Sequence, residues 1–215
     1  MTGPIPLSLA LFDFIPNLFF LLGAVWLYRR AYPTTLFAVG AALVFLNGMS
    51  KAVWKLIVAV GGPDIAWLSQ VFVVLLSGGF LLMFVAALRA ARVPRVQPLG
   101  ASAGAHMAVM AMAPWKIPFM AVAVISAVGF YTLLMRRAWQ GGARFGALAF
   151  GLSLLATFAM SGLSSGPQTL FTNWVAESVN AANQALFAAG AWAIGRSQKA
   201  SSGLNGPLQG HLPLP

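Results

Sequence analysis

Two lysines sit inside the apolar stretch LNGMSKAVWKLIVAV, residues 46–60, where a charged group at bilayer depth costs roughly 3 kcal/mol or more. Asn47, Lys51 and Lys55 recur at intervals of four and therefore share one face of a helix. Asp13 and Asn17 repeat that interval in the first apolar stretch. In the last stretch, Asn173, Glu177, Asn180 and Gln184 fall on a common face. These side chains supply most of the polar chemistry inside the apolar segments. Ammonium and amide N–H groups can hold a polar or anionic solute, and a carboxyl group can exchange a proton. Opposite charges can also neutralise one another, the usual reason that ionisable groups persist in a membrane interior.

Their depths match. At about 1.5 Å of rise per residue, Lys51 lies about 15 Å and Lys55 about 9 Å from the end of their helix. By the same rise Asp13 lies about 12 Å and Glu177 about 9 Å from the corresponding ends of theirs. Three helices thus bring ionisable groups to one half of the bilayer. Two readings follow: a solute site lined by Asp13, Asn17, Asn47, Lys51, Lys55, Glu177, Asn180 and Gln184, or a salt-bridge set that fixes helix packing. Lys55 is near enough to its helix end to snorkel to the interface beside Trp54 and Trp67, whereas Lys51 needs a partner.

The elements that must carry these groups are membrane helices. Of 215 residues, 60% are hydrophobic and 7% charged, far from the roughly 25% charged residues of a soluble domain. The length suits one helical bundle, residues 1–196. Runs of about 20 apolar residues, enough to cross the hydrocarbon core, occupy about 5–28, 35–60, 66–88, 117–135, 145–165 and 171–195. Gly, Pro and Arg residues bound them. A seventh segment, 99–114, is shorter and rich in Ala, Gly and Met, with Gly100 and Gly104 on a small-residue face suited to close helix packing.

The basic residues arbitrate between six crossings and seven. With seven, Arg29, Arg30, Arg89, Arg92, Arg95, Arg136, Arg137, Arg144, Arg196 and Lys199 all fall on one side. The positive-inside rule then gives an all-α integral membrane protein with seven transmembrane helices, N-terminus out and C-terminus in. Six helices is the alternative. The net charge of +10 is read as this loop bias rather than as a nucleic-acid surface. Residues 197–215, rich in Ser, Gly, Pro and Gln, read as a disordered cytoplasmic tail.

Punctuation recurs between the halves. Arg29-Arg30-Ala31 answers Arg136-Arg137-Ala138, and Gly62-Pro63 answers Gly166-Pro167. Ile15-Pro16 answers Ile117-Pro118. This layout reads as three helices, a linker helix and three helices in a parallel repeat.

Other signals carry less. Gly162-Leu-Ser-Ser-Gly166 has the spacing of a nucleophile elbow but lacks a strand-to-helix context and a nearby base. His106 stands alone, so no metal or other cofactor is expected. The last helix has no lysine for a retinal Schiff base. The expectation is a multi-pass protein of the plasma (inner) membrane whose partners are the lipid bilayer and a small polar or anionic solute. Such a protein translocates the solute through an outward-facing cavity and is not an enzyme. The alternative is a scaffold or sensor module whose buried charges are structural.

Overall fold

Long apolar runs interrupted by Pro and Gly fold as helices that start and stop at those breakers. The computed structural model describes residues 5–65, 67–68, 71–92, 116–164 and 169–204, and every regular element among them is helical. The helices are α1 (Leu7–Phe12), α2 (Phe14–Arg30), α3 (Thr35–Ala59), α4 (Phe72–Ala90), α5 (Lys116–Gln140), α6 (Arg144–Ser164) and α7 (Leu170–Leu204). Four stretches are long and apolar enough to cross a membrane: Leu7–Arg30, Thr35–Ala59, Val73–Ala90 and Phe119–Gln140. The chain therefore has several apolar helices consistent with a membrane protein. The apolar part of α6, Arg144–Met160, is shorter, and α7 is diluted by its row of Asn, Gln and Glu.

The helix expected over 117–135 runs on to Gln140, and two further boundaries differ from expectation. The first apolar stretch, expected as one helix over 5–28, is broken at Asp13 into α1 and α2. Pro16 is the reason: it has no N–H to give the carbonyl of Phe12, four residues back. The Asn17 side chain compensates next door, its Nδ2 donating to the Asp13 carbonyl at 2.8 Å. The second difference is at the C-terminus, where α7 runs on to Leu204 instead of ending near 195. Residues 197–204 were expected to be disordered, but Ser197 to Ala200 contains no helix breaker, and Gly203, Gly206 and Pro207 come only afterwards. The segment 99–114, with Gly100, Gly104 and His106, lies outside the described residues, as do 205–215.

The helices close into a ring. α2 packs on α3, α3 on α4, α4 on α5, α5 on α6, α6 on α7, and α7 returns to α2, while α1 packs on α3. Most neighbours run antiparallel. At α3 and α4, Gly40 faces Met83 while Val44 faces Gly79, so one helix rises as the other falls. Two junctions are parallel. At α2 and α7, Phe20 stacks on Phe187 and Gly195 lies by Arg30, so both helices run in the same direction. At α4 and α5, Phe84 lies against Gly129, and both helices end in arginines.

Each parallel junction therefore sets a glycine against a phenylalanine ring, Gly23 against Phe187 and Gly129 against Phe84. A Cβ at Gly23 would approach the Phe187 ring to 2.7 Å, and one at Gly129 the Phe84 ring to 2.5 Å. Only glycine admits those rings without movement.

The core fills the arginine-bearing end. Tyr32, Phe37, Phe130, Tyr131, Phe150 and Phe187 are buried in one aromatic cluster, their ring centroids separated by 5.4–6.4 Å in successive pairs. Aromatic pairs at such spacing add to their burial about 0.5–1.5 kcal/mol each. Arg137 lies over Tyr32, 5.1 Å from the ring centre, and Arg196 over Trp192 at 4.7 Å. At the opposite end a smaller apolar cluster of Ile5, Leu9 and Ala10 packs against Leu56, Val58, Ala59 and Trp174.

Candidate binding site

The break at Asp13 leaves a carboxyl group at the α1–α2 junction, facing the second half of α3. Lys55, near the end of α3, reaches both Asp13 and Glu177 of α7. Its Nζ lies 3.0 Å from Asp13 Oδ2 and in hydrogen-bond contact with Glu177 Oε1. Lys51, one turn earlier, approaches the same Glu177 oxygen at 3.5 Å. Four charges contributed by three parts of the ring thus meet at one point, with two positive and two negative groups in balance. Asp13, Lys55 and Glu177 are all buried.

Lys51 has Glu177 as its partner, but the exposure of the two lysines is the reverse of that expected. Lys55 was the candidate to snorkel, yet its side chain is only 3% exposed, while that of Lys51 is 36% exposed. The reason is azimuthal rather than axial. The broken first helix and α7 converge on the Lys55 position and supply it with two carboxylates, so solvation is replaced by pairing. Lys51 is held by one oxygen at the limit of hydrogen-bond distance.

Below the charges lies a layer of amides. Asn17 sits against α3 at Gly48, where a Cβ would meet Asn17 Oδ1 at 1.7 Å. Asn47 is buried on the Lys51 and Lys55 face of α3. Gln184 follows Glu177 by two turns of α7, and Asn180 lies on that face between them. Asn47 stands eight residues from Lys55, and Gln184 seven from Glu177, so both amides lie about 11 Å deeper than the ion pair they follow.

Among the described residues, several oxygens at the site have no hydrogen-bond donor. Glu177 Oε2, Asn47 Oδ1 and Gln184 Oε1 are buried without one, and so is Asp13 Oδ2, which meets Lys55 at ion-pair distance but off the direction of a hydrogen bond. A buried acceptor left without a donor costs about 1–3 kcal/mol. The site therefore has charge balance without hydrogen-bond balance. Among the described residues no three His, Asp or Glu side chains gather to hold a metal ion.

Four residues that the sequence reading did not single out form a second buried polar group. Ser153 Oγ lies 3.1 Å from Tyr131 Oη and 3.2 Å from the Asn183 carbonyl, and it contacts Asn183 Oδ1. Asn183 Nδ2 donates to Thr157 Oγ1 at 3.1 Å. This network ties α5, α6 and α7 together, and its side chains satisfy one another. The four-residue interval from Ser153 to Thr157 was the available signal. Gly48 and Asp64 were also passed over; Asp64 accepts from Trp54 Nε1 at 2.8 Å.

The Gly162–Gly166 motif places Ser164 at the end of α6, and residues 165–168 lie outside the described part. Comparison of the chain with protein-family models, curated proteins and solved structures finds no match.

Proposed function

We propose that this chain is a multi-pass protein of the plasma (inner) membrane that binds and translocates a small polar or anionic solute, without a catalytic step, at the junction of α1–α2, α3 and α7. One observation carries the reading: within a membrane-length stretch, Leu7–Arg30, an acid meets Lys55 and Glu177 in a buried charged group. Ionisable groups inside membrane helices are rare and mark substrate and ion pathways as well as structural pairs. Direct pairing of Lys55 with both carboxylates favours the second reading, a scaffold or sensor module whose charges lock three helices together.

The membrane arrangement has its own support. Because α4 and α5 run parallel, α4 finishes at the arginine end and α5 begins at the other. The chain between Arg92 and Lys116 must therefore connect opposite ends of the bundle. That geometry supports seven crossings with the N-terminus out and the arginine end in. It also supports three plus one plus three: exchanging α1–α2 with α5, α3 with α6 and α4 with α7 maps the ring of neighbours onto itself. Each parallel junction maps onto the other, glycine and phenylalanine included.

Two experiments test these points. In proteoliposomes, the wild type is expected to accelerate entry of at least one small polar solute, and Glu177→Gln to abolish the acceleration. A variant that unfolds gives no flux either, so its helicity is measured alongside. Equal acceleration in a folded Glu177→Gln protein removes the charged group from the solute path, and no acceleration by the wild type favours the scaffold. For topology, the chain has no cysteine, so single cysteines at Arg92 and Lys116, on either side of the segment that six and seven crossings place differently, report cleanly. Labelling from opposite sides agrees with seven crossings, and labelling from one side overturns them.

A further inference from the structure

The site's imbalance narrows what can occupy it. Lys51 and Lys55 already neutralise Asp13 and Glu177, so the four-charge set, with Lys51 at its solvent-exposed side, carries no net charge. Among the described residues, the fully buried atoms left without a hydrogen-bond partner are oxygens: Glu177 Oε2, Asn47 Oδ1 and Gln184 Oε1, with Asp13 Oδ2 held by Lys55 at ion-pair distance only. An anion entering here meets acceptor oxygens, while the buried ammonium is already engaged by two carboxylates. A cation meets suitable oxygens but leaves an uncompensated positive charge in a region with little solvent. A neutral molecule that donates hydrogen bonds satisfies the oxygens and preserves the charge balance.

We propose that the ligand class of this site is a small neutral hydrogen-bond donor, such as a short polyol or primary amide, held between the Glu177 layer and the Asn47–Gln184 layer. This inference rests on the solute-binding reading above and replaces its wider class, polar or anionic, with one member. The spacing of the layers supports it. Acceptors about 11 Å apart in depth form a ladder along the shared faces of α3 and α7, with Asn180 between them. A molecule with donors at more than one position can pass from rung to rung. The tyrosine–serine–asparagine network beside it offers no such vacancy, because its members are paired with one another.

The test uses the full chain in proteoliposomes with glycerol and acetamide as neutral donors, and formate and methylammonium as ionic probes. Stopped-flow light scattering is expected to register faster entry of the neutral pair than in protein-free vesicles, and no acceleration of the ions. Gln184→Leu removes one acceptor at similar volume and leaves the ion pairs in place. It should slow neutral entry about tenfold, equivalent to about one hydrogen bond. Faster entry of formate or methylammonium, or unchanged glycerol entry in folded Gln184→Leu, overturns the ligand class and leaves translocation standing. If no probe enters, translocation fails, and binding is decided on the detergent-purified protein by saturation-transfer NMR. A glycerol or acetamide signal that Gln184→Leu abolishes sustains the ligand class; no signal, or an equal one from formate, overturns it.

Discussion

The two parallel junctions of the ring are built alike and furnished differently. At both, a glycine admits a phenylalanine ring, Gly23 with Phe187 and Gly129 with Phe84. The α2–α7 junction then opens, towards the α1 end, onto Asp13, Lys55 and Glu177. The α4–α5 junction has no counterpart: neither helix contains an acid, and its buried polar groups are Ser77 and Ser126. Ser77 is satisfied locally, its hydroxyl donating to the Val74 carbonyl at 3.1 Å. Identical steric solutions at the two places show that close helix approach needs no charge. The charges at one junction are therefore an addition to the packing, maintained against the cost of desolvating them.

The largest expected effect breaks that addition. Lys55→Met leaves Asp13 and Glu177 buried without their shared cation, and should destabilise the protein by about 3–5 kcal/mol, the cost typical of removing one partner from a buried ion pair. Thermal unfolding in detergent measures it. Adding Asp13→Asn and Glu177→Gln to that variant removes the stranded charge and should recover most of the loss. If Lys55→Met alone unfolds like the wild type, the charged group contributes nothing to the fold.

A smaller effect tests the likeness. Gly23→Ala and Gly129→Ala each drive a methyl group into a phenylalanine ring, and each should cost about 1–3 kcal/mol through overpacking. The two losses should be comparable. A costly Gly23→Ala beside a neutral Gly129→Ala in the same unfolding assay denies that the junctions are equivalent.

The smallest effect separates the two lysines. Lys51 is one-third exposed and touches a single oxygen at 3.5 Å, so Lys51→Ala should cost about 0–1 kcal/mol, in the range of solvent-exposed pairs. A loss in unfolding free energy as large as that of Lys55→Met would mean that Lys51, rather than Lys55, anchors the group.

Much of this was legible in the chain. The four-residue interval of Asn47, Lys51 and Lys55 put them on one face. Helical rise from the segment ends brought Asp13, Lys51, Lys55 and Glu177 to matching depth, and in the structure they meet. Axial position is readable because every residue of a helix adds the same rise. Azimuth is not, because it depends on which neighbour each face turns towards. For that reason the sequence could not say which lysine would be enclosed, and it favoured the wrong one for exposure. The break at Asp13 was signalled by Pro16, but a proline near a helix start is compatible with an uninterrupted helix as well.

By itself, then, the sequence determined an all-helical apolar chain, the approximate limits of most of its helices and the depth of its polar groups. Composition, helical period and breaker residues act locally, and they are written in the order of the residues. Only the tertiary structure decided the closed ring, the two parallel junctions, the enclosure of Lys55 and the oxygens left without donors. Those follow from which faces meet, a property of contacts between segments as distant as Asp13 and Glu177.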